Sequence, residues 1–220
     1  MYYNLFINYY VDKNPSRQEE LDFCFLENLK NPVVSKIVVF VSKQDKKHLS
    51  EKFHEHTAKI YSIVQESRPT YNDFFEVMNH FGSDDNINAI TNSDIIVSDT
   101  ALQLSYQYLS TVANCLALSR WDVFNKDNYK TDCTLFARSD SQDTWIFKGK
   151  VGRIEGADFT MGIAGCDNAI AHYLQNAGFV LMNPCTRLQT YHLHLSNIRN
   201  YIQGEHIQRI PPPYVLVQPT

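Results

Sequence analysis

Strands and helices alternate through the first hundred residues, and this alternation constrains the fold more than any other feature of the chain. Four apolar runs are typical of buried strands: 5–10, 36–41, 58–64 and 87–91. Helical segments separate them, with boundaries marked by Asn14-Pro15, a capping box at 16–19, and Gly82 at the end of the third helix. Such an order predicts an α/β fold with a mixed, mostly parallel central sheet flanked by helices.

The second half of the chain is less regular but continues the pattern. Further strands are expected at 114–119, 144–147, 179–182 and 190–195. Helices are expected to begin at Asp99 or Thr100 and again at Asp167. The tail contains Pro211-Pro212-Pro213 and is expected to be extended over the surface. A length of 220 residues suits one domain over 1–220.

Composition excludes several function classes. A net charge of −4 without a basic stripe argues against nucleic-acid binding. No run approaches the ~20 apolar residues of a membrane span. Five scattered cysteines suit free thiols in a reducing compartment, so we expect a soluble, cytoplasmic protein. The chain has no Walker loop, G-x-G-x-x-G, G-x-S-x-G or H-E-x-x-H, which counts against P-loop phosphotransfer, Rossmann oxidoreduction, α/β-hydrolase and zincin chemistry.

A polar triplet, Asn92-Ser93-Asp94, follows the fourth predicted strand. Ligands of α/β sheets bind beyond the carboxyl ends of parallel strands, which is where this triplet lies. The carboxylate and amide oxygens of Asp94 and Asn92 suit Mg²⁺ or Mn²⁺, and such a metal usually shares its coordination with substrate phosphates. The alternative interpretation is a plain turn, because Asn, Ser and Asp all favour turns.

Two histidines near the carboxyl end, in Tyr191-His192-Leu193-His194, are spaced two apart. On a strand, such residues share a face, so His192 and His194 can point the same way. Imidazole is a good ligand for Mn²⁺-like metals. A core or surface role for both histidines is the alternative.

Three other side chains are candidates for chemistry. Asp167, in Gly165-Cys166-Asp167-Asn168, is a good helix N-cap, and it is also a candidate base for an acceptor hydroxyl. At an N-cap, the helix dipole would lower its pKa. Arg17 and Arg68 lie on predicted strand-to-helix loops, where guanidinium groups suit phosphate or uracil oxygens, although solvated surface positions are the simpler interpretation.

The order of these parts resembles that of GT-A fold glycosyltransferases. Four segments are similar to the small glycosyltransferase domains of large DNA viruses, chlorella viruses among them: Ser67-Arg68-Pro69-Thr70-Tyr71, Leu118-Ser119-Arg120-Trp121-Asp122, residues 140–145 (DSQDTW), and Thr190-Tyr191-His192-Leu193-His194. The resemblance runs from the first strand to Ser196. Its chief departure is Asn92, where the family pattern has Asp.

The resemblance implies a metal-dependent transfer of a hexose or deoxyhexose from a UDP-sugar to a glycan hydroxyl. It places the nucleotide in a half of about 1–100, the acceptor in a half of about 101–200, and an extended tail at 205–220. Its implied residues are Asn8, Tyr9, Arg17, Arg68, Asn92, Asp94 and Arg120 for the donor; Asp94 with His194 or His192 for Mn²⁺ or Mg²⁺; and Asp167 as base, with Asp143 as the reserve base or holder of the sugar. If the protein is viral, its compartment would be the host cytoplasm.

Two other functions stay open. Nucleotidylyl transfer onto a sugar phosphate shares the fold type, but the residues after the first strand lack the glycine-rich, basic signature expected of it. A degenerate transferase fold kept as a carbohydrate-binding or assembly module is the second alternative, and Asn92 is the residue that favours it.

Overall fold

The computed structural model describes residues 2–81, 83–111, 114–198 and 209–220. Its strands are β1 (Tyr3–Asn8), β2 (Val34–Val41), β3 (Ile60–Val64), β4 (Ile87–Thr91), β5 (Ile95–Val97), β6 (Cys115–Leu118), β7 (Trp121–Val123), β8 (Cys133–Leu135), β9 (Thr144–Lys148), β10 (Leu181–Met182) and β11 (Thr190–His192). Its α-helices are α1 (Pro15–Lys30), α2 (Lys43–Lys52), α3 (Tyr71–Phe81), α4 (Asp99–Thr111) and α5 (Cys166–Asn176), and short 3₁₀ helices cover His54–Lys59 and Lys126–Asn128. The predicted cap Gly82 and the tail residues 205–208 lie outside the described residues.

Seven strands form the central sheet in the order β10-β6-β9-β4-β1-β2-β3. Every neighbouring pair is parallel except those of β9, which runs antiparallel to both β4 and β6. The prediction of a mixed, mostly parallel sheet flanked by helices is therefore confirmed. Among the described helices, none is long and apolar enough to cross a membrane.

The core fills both faces of the central sheet because side chains alternate along each strand. Leu5 and Ile7 of β1 pack in one cluster with residues of α1, α2 and α4. Phe6, between them, packs on the opposite face with residues of α3 and α5. Helices on both faces explain why the strand sequences are continuously apolar.

A second, four-stranded sheet, β5-β11-β7-β8, was not expected from the sequence. In it, β11 pairs antiparallel with β5 and parallel with β7. A strand was predicted over 190–195, but the observed strand β11 is shorter because its pairing ends at His192. This small sheet joins the turn after β4 to the carboxyl-terminal histidines, and so it positions the site described below.

Helix boundaries differ from prediction where a neighbouring residue caps better. Asn14 is the N-cap of α1, since its side chain accepts from the backbone N–H of Ser16 at 3.0 Å and of Arg17 at 3.4 Å. The predicted capping box at 16–19 is wrong, because those residues already lie inside the helix with Pro15 at its first position. Ser42 caps α2, and its side-chain oxygen accepts from the Asp45 backbone N–H at 3.0 Å.

The carboxyl-terminal segment 209–220 lies across the loop that precedes α5 and along the β10 side of the sheet. The Ile210 N–H donates to the Ala164 carbonyl at 2.9 Å, and the Val217 N–H donates to the Ser139 carbonyl at 3.0 Å. The Thr220 N–H donates to the Asn183 carbonyl at 2.8 Å. The segment thereby packs against the start of α5.

Gly165 is the residue at which this packing is tightest. Its φ is +83°, and a Cβ there would lie 2.7 Å from the Tyr214 hydroxyl oxygen and 2.8 Å from the Ile210 carbonyl oxygen. We expect Gly165→Ala to lower the free energy of unfolding by about 2 kcal/mol or more, from crowding added to backbone strain. Urea unfolding measures it.

Gly178→Ala is the matched control, because Gly178 has φ +90° but no atom lies within 4 Å of the place that a Cβ would occupy. Gly178→Ala should lower the free energy of unfolding by only about 1 kcal/mol, the contribution of backbone strain alone. Equal losses in the two variants would show that the carboxyl-terminal segment does not pack closely on Gly165.

Candidate active site

Asp94, His192 and His194 meet where the turn after β4 approaches the end of β11. Residue 94 precedes β5, and its carbonyl accepts from the Leu193 N–H at 3.0 Å. The antiparallel pairing places His192 opposite Ile95, with its Nε2 3.4 Å from Asp94 Oδ2. One ligand atom from each of the three side chains lies within 4.8 Å of the other two. The structure thus brings together the three residues predicted as metal ligands.

In each histidine, one ring nitrogen already has a hydrogen-bond partner outside the cluster. His192 Nδ1 lies 2.8 Å from Asp122 Oδ1, and His194 Nε2 lies 2.8 Å from the Ile198 carbonyl oxygen. Metal-ligating histidines characteristically donate their second ring N–H to a carboxylate or carbonyl. This arrangement leaves His192 Nε2 and His194 Nδ1 as the ring nitrogens that could ligate a metal beside Asp94, and this donor set fits a divalent cation.

Arg17 lies beside this cluster in the first turn of α1, not on the loop predicted for it. Its side chain is buried, with only 5% of the residue exposed. Its Nη2 donates to Asp94 Oδ2 at 2.5 Å, and its Nη1 donates to Glu20 Oε2 at 2.9 Å and to the Leu193 carbonyl at 3.1 Å. The predicted contact with the nucleotide stays a prediction.

Charge is distributed unevenly over the three candidate ligands. Burial opposes ionisation of Asp94, but His192 and Arg17 outweigh it and hold its pKa well below the ordinary value. Burial lowers the pKa of His192, yet Asp94 and Asp122 raise it to about 9. Burial and the nearby Arg17 lower the pKa of His194. In the metal-free site, these shifts favour an Asp94 carboxylate and a protonated His192 and disfavour protonation of His194, so a cation that bound His192 Nε2 would displace a proton from it.

Asp143, which immediately precedes β9, is bonded through both carboxylate oxygens. Asn92 Nδ2 donates to its Oδ1 at 2.8 Å, and Arg120 Nη1 donates to its Oδ2 at 3.0 Å. Arg120 Nε also donates to Asp122 Oδ1 at 2.7 Å, which links this group to His192. Asn92 is thus turned towards Asp143. An aspartate at this position would face a second carboxylate, and the asparagine avoids that repulsion.

Asp167 lies in the first turn of α5, but it is not the N-cap. Gly165 holds that position, so the predicted capping role of Asp167 is wrong. The Cys166 thiol donates to Asp167 Oδ1 at 3.3 Å. Burial, and then the negative charge of Asp143, raise the pKa of Asp167 to about 7. The expected lowering by the helix dipole is therefore overcome, and the carboxylate is poised to exchange a proton near neutral pH.

Three of the predicted donor-binding residues line one cleft at the carboxyl end of the sheet. Its lining is Asn8, Arg68, Pro69, Phe74, Thr91, Asn92, Ser93 and Met161. Arg68 is exposed, and its guanidinium has no hydrogen bond or ion pair with any other described residue. Tyr9 does not line the cleft. It is 1% exposed, and its hydroxyl donates to Asp22 Oδ1 at 2.5 Å.

Sequence reasoning missed Asp122 and Glu20 as members of the site. Asp122 supports His192 because β7 and β11 are parallel and place these two residues in register. The alternation Arg120-Trp121-Asp122 was an available signal, since residues two apart on a strand share a face. Glu20 accepts from Arg17 and from the Ser196 backbone N–H and hydroxyl. The Arg17–Glu20 pair has the i,i+3 spacing of neighbours on a helix, whereas no local pattern indicated the long-range contact with Ser196.

No family model matches the chain, and no curated protein matches it in sequence. Among solved structures, a Pyrobaculum calidifontis mannosyltransferase in complex with GDP-Man and Mn²⁺ is similar over 83% of this chain and 54% of that chain, at 12% identity and a TM-score of 0.49. An Anaerococcus prevotii 4-diphosphocytidyl-2C-methyl-D-erythritol synthase is similar over 67% of this chain and 70% of that chain, at 10% identity and a TM-score of 0.43. S. aureus TarS 1–349 is similar over 67% of this chain and 47% of that chain, at 11% identity and a TM-score of 0.44.

The chain spans about half the length of the mannosyltransferase and of the TarS fragment. Overlap at these scores carries no argument about activity, substrate or metal. The viral resemblance stays a prediction.

Proposed function

We propose that this chain is a glycosyltransferase that moves a sugar from a nucleotide-sugar donor, UDP-linked by preference, to a hydroxyl of a glycan acceptor. The convergence of Asp94, His192 and His194 carries the proposal. This cluster lies near the cleft lined by Arg68 and is connected through Asp122 and Arg120 to the carboxylate of Asp143. The position matches the sheet edge where ligands of α/β folds bind.

In this proposal, the three clustered side chains would hold Mn²⁺ or Mg²⁺. The cation would supply Lewis-acid stabilisation of the charge that develops on the departing diphosphate. Asp122 and the Ile198 carbonyl fix the orientation of the two imidazole rings. These contacts keep the ligating nitrogens directed towards Asp94.

Arg68 and Asn8 are the proposed contacts of the nucleotide. A guanidinium with no partner among the described residues, at the rim of a cleft, offers paired N–H donors to phosphate or uracil oxygens. Arg120 and Asp143 form a rigid, mutually bonded pair, which suits positioning of the sugar better than proton transfer. With both oxygens already bonded, Asp143 is the weaker candidate for the base.

Asp167 is the proposed base. As the acceptor oxygen attacks the anomeric carbon and the sugar–phosphate bond breaks, the hydroxyl proton would pass to the Asp167 carboxylate. This role requires direct displacement with inversion at that carbon. The raised pKa makes the carboxylate a stronger base than an ordinary aspartate while leaving much of it ionised near neutral pH.

A carbohydrate-binding or assembly module remains the second candidate, and one observation favours it. The Arg17–Asp94 ion pair already balances the charge of the principal candidate ligand. Glycan binding that is independent of both metal and nucleotide, without transfer, would support the module.

Arg68→Ala is expected to weaken UDP binding about 10- to 100-fold, the typical loss when hydrogen bonds to a charged group disappear. Isothermal titration calorimetry with UDP and Mn²⁺ measures the change. Arg153→Ala is the matched control, because Arg153 is an exposed arginine paired with Asp158. Equal UDP affinity in wild type and Arg68→Ala would remove Arg68 from the donor site.

A further inference from the structure

The ion pair between Arg17 and Asp94 is unusual for a carboxylate proposed to bind a metal. The guanidinium donates to Oδ2 at 2.5 Å, and it is fixed from behind by Glu20 and the Leu193 carbonyl. Both partners are largely buried, with side-chain exposures of 6% for Arg17 and 16% for Asp94. The carboxylate thus already has a cation supplied by the protein itself.

A divalent cation and this guanidinium would compete for the same oxygen. Oδ2 is also the oxygen nearest His192 Nε2, at 3.4 Å, so it is the one directed into the ligand cluster. Arg17 Nη2 already contacts this oxygen directly, and a divalent cation placed there would repel the guanidinium far more strongly than His192 Nε2 does at 3.4 Å. The Arg17 Nη2 contact therefore opposes metal binding at Asp94 Oδ2.

We infer that Arg17 is the resident counter-cation of Asp94, which a divalent metal must displace in order to bind. This inference rests on the proposed metal site. In the metal-free protein, Arg17 keeps Asp94, Glu20 and the segment around Leu193 together. In the loaded protein, the released guanidinium becomes available to another anion.

The donor diphosphate is the anion that fits the released guanidinium. A metal that binds alone would break the Arg17–Asp94 contact without providing a new partner for Arg17. A metal that binds together with a nucleotide diphosphate would provide one, because the diphosphate can accept from the guanidinium. Metal and nucleotide should consequently bind cooperatively, each tightening the other by the same factor. Arg17 would be the residue that couples them.

The test measures Mn²⁺ affinity without nucleotide, from the free-Mn²⁺ signal in electron paramagnetic resonance titrations. We expect Arg17→Met to bind Mn²⁺ at least about tenfold more tightly than wild type, since a competing charged hydrogen bond is removed. Arg153→Met makes the same change of net charge at an exposed site and should stay within about twofold of wild type. UDP should tighten Mn²⁺ binding less in Arg17→Met than in wild type.

Arg17→Lys keeps a positive charge without the forked donors of the guanidinium. It is the variant to titrate if Arg17→Met does not fold. It is expected to bind Mn²⁺ about threefold or more tightly than wild type, because a single ammonium holds Asp94 less firmly. Circular dichroism confirms that each variant is folded before titration.

The outcomes separate this inference from the proposed function. Folded Arg17 variants that bind Mn²⁺ as wild type does, or more weakly, overturn the displacement of Arg17 and leave the metal site standing. Absence of Mn²⁺ binding in wild type and variants alike overturns both the displacement and the metal site. Donor binding in the cleft is then still judged separately, by the effect of Arg68→Ala on UDP affinity.

Discussion

Asp94→Ala is expected to reduce sugar transfer from a UDP-sugar at least ~10²-fold, and Mn²⁺ affinity by a comparable factor. Even loss of the outer partners of metal ligands typically costs 10- to 100-fold, so loss of a ligand itself should cost no less. The substitution removes the only carboxylate of the three clustered candidate ligands. Steady-state transfer assays and Mn²⁺ titration of the same preparations measure the two effects.

The same substitution leaves Arg17 and His192 without the anion between them. Breaking a buried pair by removing one partner typically destabilises a protein by about 3–5 kcal/mol, so Asp94→Ala needs a companion that preserves shape. Asp94→Asn keeps the volume and a hydrogen-bond acceptor while removing the charge. Asp158→Ala, at an exposed ion pair, controls for loss of a carboxylate elsewhere. Unchanged turnover in folded Asp94→Asn would contradict the metal assignment.

The first half of the fold could be predicted because β1, β2 and β4 are buried on both faces. The run 36–41 is apolar at nearly every position since Ile37 and Val39 face one helical layer and Val38 the other. The second sheet could not be predicted in the same way. β5, β7 and β8 have three residues each, too few to display a period, and they form through pairing with distant strands.

The candidate ligands were predictable, but their partners were not. Asp94 follows a recognisable strand, and His192 and His194 share a motif, so position and resemblance identified all three. Which side chain each one meets depends on how β11 lies between β5 and β7. Arg17 illustrates the limit. Its sequence neighbourhood indicated a loop beside a phosphate, whereas the better cap at Asn14 placed it inside α1, facing a carboxylate.

The role of Asn92 becomes visible only in three dimensions. In the sequence, it weakens the metal motif and favours a degenerate function. In the structure, its amide donates to Asp143, which an aspartate could not do in its ionised form. An asparagine at position 92 is thus compatible with the proposed site, in which Asp94 and the histidines would provide the ligands.

Asp167→Asn is expected to lower turnover about 10²-fold or more while leaving UDP affinity unchanged, because a positioned general base typically contributes 10²- to 10⁴-fold. In wild type, the base is active only when ionised, and the pKa of Asp167 is raised to about 7. The rate of transfer per donor-bound enzyme should therefore rise with pH through about 7 and level off above it. In Asp167→Asn, this rise should disappear. Asp158→Asn, at the surface, should keep the wild-type profile.

Thermal stability distinguishes this catalytic role from a purely structural one. Burial raises the pKa of Asp167 from its ordinary 3.8 to about 7, so between these values the folded protein holds a proton that the unfolded chain has lost. The contribution of this group to stability is therefore complete at pH values below 3.8 and is lost as the pH rises through about 7. Because asparagine does not titrate, Asp167→Asn should remove that decline and melt no lower than wild type at neutral pH. A variant with a lower melting temperature and unchanged turnover would instead show that Asp167 serves only the start of α5.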